Sequence, residues 1–168
     1  MDRAELLAVQ KPLKDHYRAE PDAALVTLRA HGKLDEETIS CKVETGRMLV
    51  GAGLHPATGG SGALACSGDM LLEALVACAG VTLRSVATAM ELDVTGTVHA
   101  EGDLDFRGTL GVDREAPVGF TAIRLRFELA TDATQEELAK LIERTERYCV
   151  VFQTLAGGVP VELNYSTS

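Results

Sequence analysis

The sequence predicts an α+β protein, with an antiparallel sheet wrapped on a long central helix. Three observations carry this. Residues 69–91 read DMLLEALVACAGVTLRSVATAME, and between Met70 and Leu83 only Glu73 is charged and only Thr82 otherwise strongly polar. A helix that is apolar nearly all round must be covered on most sides, and the Ala, Leu and Met content favours helix over strand. Residues 120–130 alternate Ile123, Leu125, Phe127 and Leu129 with Arg124, Arg126 and Glu128, the period of a half-buried strand. The order along the chain is strands, long helix, strands, helix, strand, which places an antiparallel sheet against helices.

Residues 1–22 have a helical composition and form an amino-terminal arm, in which Pro12 should break or restart the helix. A single domain, 23–168, follows. Its first strands are expected at 24–30, at 38–44 and at 47–50. In the second, Ile39, Cys41 and Val43 face one way and Ser40, Lys42 and Glu44 the other. Residues 51–68, GAGLHPATGGSGALACSG, are dense in Gly, Ser and Thr and read as a loop. A glycine-rich loop entering a buried helix is a plausible rim for a site. It is not a phosphate loop, because no Gly-Lys-Ser/Thr element ends it.

Ser67 is placed to cap the central helix, and Asp69 in its first turn suits the positive helix end. The helix reads as too short, and too polar at its ends, to span a membrane. Strands at 94–106 and 120–130 come next, joined by the turn-rich GTLGVDREAPVG. A second helix opens at Thr134, where Thr134 and Glu137 form a capping box. Its apolar stripe is Leu138, Leu141, Ile142, Thr145 and Cys149, so Cys149 ends the inward face. Residues 159–165 close the chain as a strand, and Pro160 marks an unpaired edge.

The 168 residues suffice for one domain with a real core. A net charge of -9 argues against a nucleic-acid surface, which needs clustered Lys and Arg. The amino terminus lacks an apolar signal core, and the four cysteines do not resemble a secreted disulfide framework; a cytoplasmic protein is expected. The histidines and cysteines show no metal-ligand spacing, and no motif for another cofactor is present, so none is expected.

Cys41 reads as a small core residue on a strand, and Cys66 as a bystander before the helix. Cys78 and Cys149 lie on the inward faces of two helices that should pack together. Two buried core cysteines and a working pair both fit that placement. Cys78 is too far along its helix for that helix's own dipole, which acts within the first turn. An activated Cys78 would need a nearby cation.

Several segments resemble the OsmC/Ohr family of peroxide-handling thiol proteins: CSGDMLLEALVACAGVTL, GDLDFRGTLGVD, PVGFTAIRLRFEL and RYCVVFQTLAGGVPVEL. The likeness runs over about 23–166, in the right order. It implies an intertwined homodimer with two six-stranded sheets around two central helices. It also implies a thiol-dependent hydroperoxide reductase with Cys78 as nucleophile and Cys149 as resolving cysteine, recycled by a dithiol reductant of lipoyl or thioredoxin type. Peroxidase members carry a glutamate ten residues before the first cysteine, which holds an arginine over the thiolate. Here that position is Gly68, and Asp69 is the nearest acid. Arg47 is the candidate arginine, and a surface strand residue is its equal alternative. Arg107 reads as structural, His55 as a possible rim residue, and Glu73 with Arg84 as a solvated or interface pair. Many members carry proline after the second cysteine, where this chain has Val150. Two other readings stay open on the same fold: a non-catalytic module for a small hydrophobic ligand, and a redox sensor.

Overall fold

The structure, a computed structural model, describes residues 2–20, 23, 32–34, 40–45, 48–111 and 113–167, without the side chains of 9, 17, 18, 32–34, 40–45 and 48. The strand expected at 24–30, Arg47 and the side chain of Cys41 lie outside the described residues.

The architecture is α+β, as the sequence predicts. Helix α1 (Arg3–Ala19) opens on a capping box between Asp2 and Glu5 and runs straight through Pro12. The expected break at Pro12 does not occur. Proline removes one i→i−4 bond, and both Pro12 and Ala8, whose carbonyl it orphans, are on the exposed side of the helix, where water can take up that carbonyl. Arg3 of α1 pairs with Glu91 at 2.7 Å, tying the arm to the far end of the central helix.

Strands β1 (Gly32–Leu34), β2 (Ser40–Thr45), β3 (Met48–Gly53) and β4 (Ala65–Cys66) make a four-stranded sheet in that order. β4 runs parallel to β3, and the others are antiparallel. The glycine-rich stretch is thus partly strand at each end, and its loop narrows to 54–64. A 3-10 turn at Pro56–Thr58 lies within it, capped by His55.

The central helix is α2 (Ser67–Ala89), and its cap is Cys66, not Ser67; no side chain caps it. At 23 residues it is long and apolar enough to cross a membrane by length and composition, contrary to the expectation that it is too short. What it does here is pack. Leu75, Ala79, Leu83 and Ala87 recur every four residues and are buried, the stripe that a helix lays against a core.

That stripe meets a second sheet, the antiparallel pair β5 (Val94–Leu104) and β6 (Phe120–Thr131), linked through the short α3 (Phe106–Thr109). Ile123, Leu125, Phe127 and Leu129 are half-buried, while Arg124, Arg126 and Glu128 are exposed, as the alternation predicts. On the outer face Arg124 bonds Asp103 across the strands. Gly96 adopts φ +143 with its α-carbon against the Glu128 carbonyl, where a side chain would collide.

Helix α4 (Gln135–Tyr148) begins at the expected capping box, with Thr134 and Glu137 satisfying each other's backbone N–H. Leu141, Thr145 and Cys149 are buried. Leu141 joins Leu83, Ala87 and Val94 in one core cluster, backed by Phe127, Leu129, Leu138 and Ile142. The chain then breaks at Cys149 and restarts as α5 (Val150–Gly157).

Residues 158–167 hold no regular secondary structure, so the expected closing strand at 159–165 is absent. Its alternation is intact, with Val161, Leu163 and Tyr165 at 93%, 87% and 89% exposure. A strand needs a neighbour to take its backbone hydrogen bonds, and within this one chain the segment meets none among the described residues.

Truncating a large core side chain with no exposure, Leu141→Ala, should cost about 2–5 kcal/mol. Urea unfolding checks this as a lower midpoint with an unchanged slope.

Candidate active site

Two cysteines meet where α2, α4 and α5 converge. Cys78 lies in the middle of α2 and is half-buried. Cys149 ends α4 and caps α5, and only 1% of it is exposed. Both thiols are free, and each lies near enough to shift the other's ionisation. Sequence spacing placed both on inward faces; the structure brings the sulfurs into contact.

The local cause is the helix break. Cys149 takes φ −74 and ψ 106, an extended conformation that stops α4 while its own N–H still reaches the Thr145 carbonyl at 3.0 Å. Its carbonyl accepts from Gln153 N–H at 2.9 Å and starts α5. A new helix opens with N–H groups that have no intrahelical acceptor. No side chain caps α5.

Burial pushes the Cys78 thiol up. Against this, it accepts hydrogen bonds from the Val151 N–H, the Cys149 thiol, the Val150 N–H and the Thr82 hydroxyl, and the balance leaves it below the ordinary thiol value. Cys149 moves the other way. Burial raises it most, and the hydrogen bond and negative charge of Cys78 add to that, outweighing the Phe152 and Val151 N–H groups. The two thiols are thus shifted in opposite directions, and Cys78 is the more acidic of the pair. The thiolate is the reactive form of cysteine, and of the two thiols Cys78 is the one shifted toward it.

Sequence reasoning missed Val150, Val151 and Thr82. Backbone N–H groups carry no residue signature, so only the break after a buried Cys149 could have pointed to them. Asp69 is exposed in the first turn of α2. Nine regular helical residues put it half a turn round from Cys78 and roughly 13 Å along the axis. Gly68 is packed near Phe120, Cys66 and Leu104. Arg84 donates to the Val94 carbonyl at 2.6 Å and makes no ion pair with Glu73. Arg107 bonds Asp105 and pairs with Asp113, a structural use. His55 accepts from Ala57 N–H at 3.0 Å and stacks on Phe106 with ring centroids 4.9 Å apart.

Behind Cys149 lies a mainly apolar cavity of about 140 Å³, walled by Leu125, Phe127, Ile142, Thr145, Glu146 and Phe152, with Ala79 at one side. A second, open groove on the outer side of Cys149 is lined by Arg147, Tyr148, Val150, Gln153, Thr154 and Val159.

The fold and site define an α+β protein built around a contacting cysteine pair. The model of the OsmC-like protein family matches residues 60–164, and the chain belongs to that family. Among solved structures, an OsmC-like protein from Mycoplasma pneumoniae has a TM-score of 0.65 at 19% identity, over 79% of this chain and 89% of its own. An organic hydroperoxide resistance protein OsmC from Legionella pneumophila scores 0.55 at 15% identity, over 79% and 93%. The organic hydroperoxide resistance protein OhrB of Bacillus subtilis scores 0.50 at 17%, over 80% and 94%. These likenesses show the fold. A search of curated proteins finds no match.

Cys149→Ala removes the S–H donor to Cys78. Alkylation of Cys78 by iodoacetamide follows its thiolate, so in the wild type the rate rises with pH through a midpoint below the ordinary thiol range. In Cys149→Ala that midpoint should move upward, and the rate at neutral pH should fall. Peptide mass spectrometry locates the label.

Proposed function

We propose that this protein is a thiol-dependent hydroperoxide reductase acting on organic hydroperoxides. The observation that supports it best is the juxtaposition of a half-buried Cys78 of lowered pKa and a buried Cys149 of raised pKa. The names of the Legionella and Bacillus relatives point the same way.

In this reading the Cys78 thiolate attacks the outer oxygen of the hydroperoxide. An S–O bond forms as the O–O bond breaks, and the leaving alkoxide takes a proton from water to become an alcohol. Cys78 is left as a sulfenic acid. The Cys149 sulfur, already in contact, displaces the hydroxyl: an S–S bond forms, Cys149 gives up its proton, and water leaves. Because the resolving thiol is in place before oxidation, condensation outruns the irreversible sulfinic stage. An external dithiol of lipoyl or thioredoxin type returns both thiols. Arg47 stays a candidate for a cation near Cys78, and Asp69 a weaker candidate for orienting it.

The working form is a cytoplasmic homodimer. Val81 on α2 and Val150 on α5 are 72% and 69% exposed, and the alternating 159–165 segment pairs with no strand among the described residues. A second copy would cover the first and supply a sheet edge for the second, in the intertwined arrangement the family resemblance implies. A non-catalytic binding module is the rival reading. The cavity of about 140 Å³ beside Cys149 favours it, and the contacting sulfurs favour the peroxidase.

Purified protein with a dithiol reductant should consume cumene hydroperoxide, and Cys78→Ser should lower turnover at least a hundredfold. Turnover no faster in the wild type than in Cys78→Ser overturns the reading. After one equivalent of hydroperoxide, mass spectrometry should place a disulfide between Cys78 and Cys149. Light scattering should give twice the 17.8 kDa chain mass.

A further inference from the structure

We infer that the cavity behind Cys149 is a binding site for a compact hydrocarbon ring carried by an amine, with Glu146 receiving the ammonium at the mouth. The site lies outside the thiol chemistry proposed above and does not depend on it.

Three elements build the wall through their own periodicities. Ile142, Glu146 and Cys149 recur at helical spacing along α4, Leu125 and Phe127 alternate inward on β6, and Phe152 comes from the first turn of α5. Cys78 is not in the wall. A hydroperoxide held here would therefore not meet the sulfur that attacks in the proposed reaction.

Size and lining select what enters. The volume is about 140 Å³, and an engineered apolar cavity of about 150 Å³ stays dry and takes up benzene. A buried water needs several polar partners, and the wall has none to spare. The Thr145 hydroxyl donates to the Leu141 carbonyl at 2.7 Å. The Cys149 N–H and carbonyl are spent on Thr145 and Gln153. No buried side-chain nitrogen or oxygen among the described residues lacks a partner. A ring in this space takes apolar wall out of water and restores the dispersion contacts that a void forfeits.

Charge selects the head group. Glu146 is the one charged residue of the wall among the described residues, and it is exposed, so it marks where the cavity meets solvent. Its backbone carbonyl accepts from the Gln153 side chain at 2.9 Å, while its carboxylate has no ion-pair partner among the described residues. Arg147 borders the other groove and is not in this wall. A carboxylate at the rim of an apolar hole attracts a cation and repels an anion. The chain's net charge of -9 acts in the same direction. The ligand is therefore an arylalkyl amine and not an aromatic acid.

Benzylamine, benzyl alcohol and benzoate share the ring and differ in the charge at its end, so they probe the site on the reduced protein without hydroperoxide. In methyl NMR, the Leu125 and Ile142 resonances should shift and saturate with benzylamine, with a dissociation constant on the order of a millimolar for so small a ligand. Benzyl alcohol should bind about two- to fivefold more weakly, the worth of an exposed ion pair, and benzoate more weakly still. Glu146→Gln should bring benzylamine down to the level of benzyl alcohol. Ile142→Trp, which fills the space, should abolish the shifts at Leu125.

Methyl resonances that do not move, or an undiminished affinity in Ile142→Trp, overturn the site. Benzoate binding as tightly as benzylamine, or a Glu146→Gln protein with the wild-type order of affinities, overturns the amine. Should Ile142→Trp not fold, nuclear Overhauser contacts from the benzylamine ring to the Leu125 and Ile142 methyls of the wild type decide, and their absence overturns the site. Peroxide turnover on the same samples keeps the two readings apart. An inactive protein that takes up benzylamine refutes the reductase alone, whereas an active one with unmoved methyls refutes the amine site alone.

Discussion

The structure is organised by one demand: helix α2 is apolar over most of its circumference and has to be covered. One side is met by the β5–β6 sheet, another by α4, and the stretch around Cys78 by α5. The buried row Leu75, Ala79, Leu83 and Ala87 records that cover. Burial of such side chains contributes about 1.5–3 kcal/mol for each large aliphatic group. Placing a thiol in the middle of this helix therefore places it inside the protein, and its chemistry depends on what the covering elements present to it.

What they present follows from the break at Cys149. Had α4 continued as one helix, the N–H groups of residues 150–152 would have been spent on carbonyls of the preceding turn. Ending α4 and restarting at once frees these donors beside a buried sulfur. The cost of leaving such groups unsatisfied inside a protein is about 1–3 kcal/mol each, so a break at this place is held by the packing around it. A residue that is both the last of one helix and the cap of the next couples fold to site directly.

Much of this was legible in the sequence, and the limits are physical. The period of 120–130, the Thr134–Glu137 box and the stripe ending at Cys149 involve side-chain patterns, and each appears in the structure as read. The misreadings concern backbone bonding. Pro12 is tolerated because its helix faces water. Cys66 replaces Ser67 as the cap because β4 runs directly into α2 and leaves no room for a turn. The 159–165 alternation is real, but alternation specifies only which face is apolar and says nothing of whether a neighbour exists to complete a ladder.

The unequal burial of the two sulfurs also sets a direction on traffic through the site. With 1% of Cys149 exposed and Cys78 half-open, a small thiol arriving from solvent can engage one end of a disulfide only. In the proposed reductase, a mixed adduct with such a thiol would form on Cys78 and expel Cys149 as the leaving group. The inner sulfur is shielded from stray electrophiles by the same packing that raises its pKa.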